Sequence, residues 1–168
     1  MTNVSVRYDE LVELVGKPLT IEEFVDRITM MGSGHEATEG DVITFDIFPN
    51  RPDMYSVEGI ARSLRGFLGL EVGPPKYRAT EGAIELLVDK SVETVRPFGV
   101  GGVVRDVDLT DESVASLVDL QEKLHLTVGR RRRKVPIGIP DLDKVTPPFK
   151  YKAVYPSSIS FTPLGMAE

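Results

Sequence analysis

An α+β fold is predicted for this chain: a small helix-rich amino-terminal module followed by a mixed α/β portion. Three observations carry the prediction. Apolar residues recur at helical spacing in three segments before residue 70 and again near residue 115. Between them lie short runs of strand character, such as Val42-Ile43-Thr44-Phe45-Asp46-Ile47-Phe48. Gly73-Pro74-Pro75 then halts the preceding helix and supplies a semi-rigid linker, which divides the chain into domains 1–75 and 76–168.

In the first domain, Val4-Ser5-Val6 reads as a strand, and Leu11, Val12, Leu14 and Val15 as a short amphipathic helix closed by Gly16. Thr20-Ile21-Glu22-Glu23 has the spacing of a capping box, in which threonine and glutamate satisfy each other's backbone N–H groups. The helix behind it places Ile21, Phe24, Val25, Ile28 and Met31 on one face and ends at Gly32 and Gly34. His35 falls in this glycine-rich exit and reads as a solvated loop residue.

The strand at 42–48 runs into Pro49-Asn50-Arg51-Pro52-Asp53. Its two prolines fix their own φ angles and push Phe48 and Arg51 into extended conformations, so the strand stops there. Asp53 is placed to cap the next helix, whose apolar positions are Val57, Ile60, Ala61, Leu64, Phe67 and Leu68. Asn50, Arg51 and Asp53 form the candidate structural loop, with Arg51 held as a five-donor fork. Such a loop serves equally as simple strand-to-helix punctuation. The order in this domain is strand, helix, helix, strand, helix.

In the second domain, residues 83–88 read as a strand and 98–107 as another, the latter with glycines at 99, 101 and 102 that mark a bulge or close packing. Thr110 caps a helix with Asp111 and Glu112 at its positive end and Val114, Leu117, Val118, Leu120 and Leu124 as its stripe. His125 sits at its boundary and reads as a satisfied ring. Residues 135–143 are too proline-rich for a central strand, 149–155 alternate like an edge strand with lysines outward, and 160–164 form a last extended piece. The strands lack enough partners to complete a sheet.

The net charge is −6 over 168 residues, which argues against a dedicated nucleic-acid-binding protein without excluding a local basic patch. No cysteine is present, so thiolate chemistry and cysteine-bound zinc are excluded; two distant histidines make a histidine metal site unsupported. The sequence has no membrane-length apolar run and no signal peptide, which favours the cytoplasm. Arg130, Arg131, Arg132, Arg133 and Lys134 form its strong charge run. Five adjacent cations cannot all face a core, so they form either a solvated loop offset by acids such as Asp141 and Asp143 or a phosphate-contacting surface. No aromatic residue interleaves the run to stack bases. No catalytic constellation is visible: Asp141 and Asp143 lack a base, metal partner or nucleophile, and residues 99–102 lack phosphate-loop spacing.

Several stretches, taken in order, resemble the amino-terminal part of phenylalanyl-tRNA synthetase β subunits of the archaeal and eukaryotic form. These are Val4-Ser5-Val6, Pro49-Asn50-Arg51-Pro52-Asp53 with Val57-Glu58-Gly59-Ile60-Ala61-Arg62, and Arg96-Pro97-Phe98. They continue through Leu120-Gln121-Glu122-Lys123-Leu124-His125, the basic run, Ile137-Gly138-Ile139-Pro140-Asp141-Leu142-Asp143, and the stretch containing Pro147, Phe149, Tyr151, Pro156-Ser157 and Phe161. The resemblance implies a class II ligase of α2β2 form that joins phenylalanine to its tRNA with ATP and magnesium, the synthetic site lying in the α subunit. It implies that 76–168 begins the β subunit's editing, or tRNA-binding, domain, which hydrolyses mischarged tyrosyl-tRNA. No cofactor is expected in this chain itself, and the implied partners are the α subunit and phenylalanine tRNA.

Two positions depart from the family pattern: Pro140 stands where histidine is usual, and Pro136 where a small residue is usual. The part of the family that lines the editing pocket falls mostly beyond residue 168, so no editing residue is carried over. The expected role is an accessory, tRNA-proximal portion of the β subunit that is inactive alone. The alternatives are a stand-alone tRNA-binding module acting through residues 130–134 and a free-standing editing hydrolase.

Overall fold

The computed structural model describes residues 2–163 and 166. The chain divides into two compact units: residues up to 76 together with 108–138, and residues 77–107 together with the chain from 139 onward.

The first unit is built on a three-stranded antiparallel sheet of order β1-β3-β2, with β1 at Thr2–Arg7, β2 at Gly34–Glu39 and β3 at Val42–Ile47. Thr2 pairs with Ile47 and Arg7 with Val42, a register that points Val4, Val6, Ile43, Phe45 and Ile47 to the core. The opposite face is polar, and Ser5 and Thr44 share a 2.9 Å hydrogen bond across it. This alternation is what a sheet covered on one side requires.

The covering helices are α1 (Tyr8–Val15), α2 (Ile21–Met30) and α3 (Val57–Phe67). Each turns its apolar stripe inward: Leu11 and Val15, Phe24 and Ile28, Ile60 and Leu64 are all fully buried. The Tyr8 and Phe24 rings meet edge to face at 5.9 Å. The capping box of α2 forms as its spacing predicts: Glu23 N–H donates to Thr20 Oγ1 at 3.2 Å, and Thr20 N–H to Glu23 Oε2 at 2.8 Å.

Three details of this unit differ from the sequence expectation. His35 lies in β2, an edge strand, and its Nε2 bonds Thr38 Oγ1 at 2.8 Å. Asp53 does not cap α3; it sits in a 3-10 turn at Pro52–Met54. The cap is Ser56, whose hydroxyl accepts from Gly59 N–H at 3.2 Å. Two prolines so near each other favour a tight turn, which leaves Asp53 one turn short of the helix.

Helix α4 (Asp111–Leu126) belongs to this same unit and is capped by Thr110, with Ser113 completing the reciprocal bonds. Leu120 and Leu124 pack against the core, and Ser116 Oγ donates to Glu58 of α3 at 3.0 Å. The expected stripe is buried only in part, because Val114 and Val118 stay exposed.

The second unit holds a two-stranded parallel sheet of β4 (Leu86–Val88) and β5 (Phe149–Tyr151). Tyr151 Oη donates to Arg96 O at 2.9 Å, and Ser91 Oγ accepts from Ala153 N–H at 3.0 Å. Residues 98–107 form no strand, correcting the expectation there. Glycines at 99, 101 and 102 raise the entropic cost of holding that segment extended, and its valines stay exposed rather than packing on a sheet face. Residues 160–163 likewise pair in no strand, and Leu164 lies outside the described residues. The strands expected at 83–88 and 149–155 shorten to three residues each.

Candidate functional site

Two constellations, both in the first unit, occupy the positions singled out in the sequence. The first is the proline loop. Arg51 directs Nε to Asp53 Oδ1 and Nη2 to Asp53 Oδ2, each at 3.0 Å. Its Nη1 donates to Met31 O at 3.3 Å, at the end of α2, and Nη2 also donates to Ser63 Oγ on α3 at 3.2 Å. Arg62 Nη2 adds a bond to Asp53 O at 3.4 Å. The guanidinium fork thus ties the loop to two helices. It holds the Asp53 carboxyl below the usual carboxylate range, against a smaller opposing effect of burial.

Gly59 is part of this clasp. A Cβ there would lie 2.0 Å from Asp53 O, so the loop carbonyl approaches the first turn of α3 only because no side chain intervenes. Asn50 is exposed beside Arg51. The loop's donors and acceptors are directed at one another, which makes it a brace.

The second constellation is the basic run at the end of α4. Arg130, Arg131 and Arg132 have φ of 49°, 55° and 63°. Three successive left-handed residues with side chains cost on the order of 1 kcal/mol each, and a network of bonds holds them. Gly129 N–H donates to Leu124 O at 2.9 Å, Arg132 N–H to His125 O at 3.2 Å and Lys134 N–H to Gly129 O at 2.9 Å. A Cβ on Gly129 would sit 2.6 Å from Val135 O, so the returning chain closes tightly over that residue.

His125 lies beneath this turn, 2 % exposed. Its Nε2 accepts from Ile137 N–H at 2.7 Å. A backbone N–H can only donate, so the ring proton resides on Nδ1, which faces Glu122 Oε1 at 3.2 Å. The same carboxylate receives Arg132 Nη2 on both oxygens, at 2.6 Å on Oε2 and more closely on Oε1. Arg132 first, then His125, hold the Glu122 carboxyl below its ordinary range. Arg130, Arg131, Arg133 and Lys134 are exposed.

Arg132 therefore pairs with Glu122, while Asp141 accepts from Asp143 N–H at 3.1 Å and pairs with Lys144 at 3.4 Å. Sequence reasoning missed Glu122, Ser63 and Gly59. Glu122 stands three residues before His125, a helical spacing that carries the signal; Gly59, three residues after Ser56, carried none until the loop carbonyl was seen above it. Among the described residues, no group of three or more histidines, aspartates or glutamates is placed to hold a metal, and no helix is long and apolar enough to cross a membrane.

No protein-family model matches the chain. The phenylalanine–tRNA ligase β subunit of Archaeoglobus fulgidus is 48 % identical over 98 % of this chain and 29 % of that protein. The β subunit of Methanothrix thermoacetophila is 44 % identical over 100 % of this chain and 31 % of that protein. A crystal structure of an N-terminal fragment of the phenylalanyl-tRNA synthetase β subunit from Pyrococcus horikoshii superposes with a TM-score of 0.87 at 37 % identity, covering 99 % of this chain and 49 % of that one. The chain is homologous to the amino-terminal region of archaeal phenylalanine–tRNA ligase β subunits. It spans less than a third of the length of the curated β subunits it matches, and the α+β architecture described above is that of the Pyrococcus fragment.

Proposed function

We propose that the chain works as the amino-terminal portion of a phenylalanine–tRNA ligase β subunit, giving architecture and tRNA-proximal surface to the ligase without a complete active site of its own. The observation that carries this reading is the match in sequence and fold along virtually the whole chain. Residues 76–168, in this reading, begin the editing domain, and the two-stranded parallel sheet of β4 and β5 gains further strands there, since such a pair is marginal by itself. The enzyme as a whole uses ATP and magnesium, assembles with an α subunit as an α2β2 tetramer in the cytoplasm, and charges phenylalanine tRNA.

The exposed basic turn supports contact with tRNA phosphates: arginine guanidinium groups grip phosphate oxygens through paired donors, and the turn stands out from an acidic chain. With no stacking aromatic in the run, that contact positions tRNA without reading its sequence. The test is to assay the chain alone for phenylalanine charging and for tyrosyl-tRNA deacylation, and then for tRNA binding across a salt series. The reading expects no rate above background in either reaction and binding that weakens steeply with salt. Deacylation by the chain alone would replace it with a free-standing hydrolase.

A further inference from the structure

We propose that the basic turn has a division of labour: Arg130 and Arg131 contact phosphate, while Arg132, locked to Glu122 above His125, is a positioning residue that holds the turn in its left-handed shape. This deepens the tRNA reading above and rests on it. Simple solvation would leave five adjacent cations interchangeable; the structure does not. Arg132 turns back onto α4, where the Glu122 carboxylate takes its Nη2 and the His125 ring together. The His125 carbonyl receives the Arg132 backbone N–H, and the His125 ring receives the Ile137 N–H from beyond the turn. One side chain and two backbone groups of the 130–137 segment are thereby fastened to a single helical turn, Glu122 to His125.

The consequence is geometric. Successive left-handed residues are disfavoured for arginine, and an unrestrained loop would relax out of them. Held as they are, Arg130 and Arg131 project from fixed backbone positions with their side chains exposed. A pre-shaped pair of guanidinium groups loses less freedom on gripping a phosphate backbone than two on a mobile loop. Glu122 neutralises Arg132, so the charge offered to phosphate is carried by its neighbours. The ligand class is a phosphodiester backbone, that of tRNA.

The experiment uses the full 168-residue chain and an unmodified phenylalanine tRNA transcript, with binding measured over a salt series and backbone amide exchange measured without RNA. Replacing both Arg130 and Arg131 by alanine is expected to lower the slope of log K against log salt by about two, with amide protection at Arg132, Lys134 and Ile137 unchanged. Glu122→Ala is expected to weaken binding, although it removes a negative charge, and to collapse that protection. Glu122→Gln, which keeps a hydrogen-bond acceptor for Arg132, is expected to restore most of both. Tighter binding by Glu122→Ala, or protection unchanged in it, would overturn the proposal. So would a loss of slope in Arg132→Ala of about one, half that of the double Arg130 and Arg131 replacement, with protection intact, because Arg132 would then itself be a phosphate contact. Absence of salt-dependent binding by the unsubstituted chain would instead overturn the tRNA reading and the phosphate role with it, while exchange in Glu122→Ala would still show whether the clamp exists.

Discussion

Arg51 and Asp53 face each other through two parallel hydrogen bonds of 3.0 Å each, with only Pro52 between them. The pair is partly exposed, at 30 % and 43 % for the two side chains, so its charges are screened. Its value lies in what else the guanidinium reaches, Met31 O at the end of α2 and Ser63 on α3.

Arg51→Ala removes the whole fork and is expected to destabilise the first unit by about 1–3 kcal/mol. Arg51→Lys keeps the charge and loses the planar geometry, so it is expected to recover less than half of that. Urea unfolding of the two variants beside the unsubstituted chain checks both values. Equal stability of all three would show that the loop is punctuation only.

The depressed Asp53 carboxyl gives a pH dependence of known sign. A group whose folded pKa lies below its unfolded value of 3.8 contributes stability that is fully present above that value and is lost as pH falls through the folded pKa. Acid titration below pH ~4 is therefore expected to destabilise the unsubstituted chain more steeply than Asp53→Asn. Superposed acid curves would remove the ion pair from the account.

Gly59→Ala offers a sharper test, because helix propensity and packing disagree about its outcome. Alanine is the better helix former by about 1 kcal/mol, yet its Cβ would stand 2.0 Å from Asp53 O. Packing wins, and the substitution is expected to cost at least ~1–3 kcal/mol. Gly66→Ala on the same helix is the control: its Cβ meets nothing nearer than Glu71 O at 3.7 Å, so it is expected to be neutral or stabilising. Thermal unfolding of the pair separates the two effects.

Local signals carried most of the first unit into view. Thr20 and Glu23 located a helix start to the residue, as Thr110 did for α4. Val42 to Ile47 read as an apolar run of strand character and became the central strand, with Ile43, Phe45 and Ile47 buried in alternation. The edge strand β2 was missed because Gly34-His35-Glu36-Ala37-Thr38-Glu39 is polar and glycine-led, and a β-bulge between His35 and Ala37 breaks its alternation. Gly40-Asp41 just before Val42 was the hairpin signal that would have found it. At the candidate site, the sequence exposed the cations and not their partners. Glu122 and Arg132 are ten residues apart and meet only because three left-handed residues fold the chain back. Residues 98–107 misled because a valine-rich run resembles a strand until its ladder partners are sought.

The measurement that bears most directly on the central claim is the size and company of the native polypeptide. Antibody raised against this chain is used to blot source-cell extract and to precipitate its antigen, with the co-precipitated proteins identified by mass. The account predicts a band about three times heavier than the chain's 18.5 kDa, in proportion to the 29 % of the Archaeoglobus β subunit that the chain matches, accompanied by the ligase α subunit. A band near 18.5 kDa without that companion would contradict it.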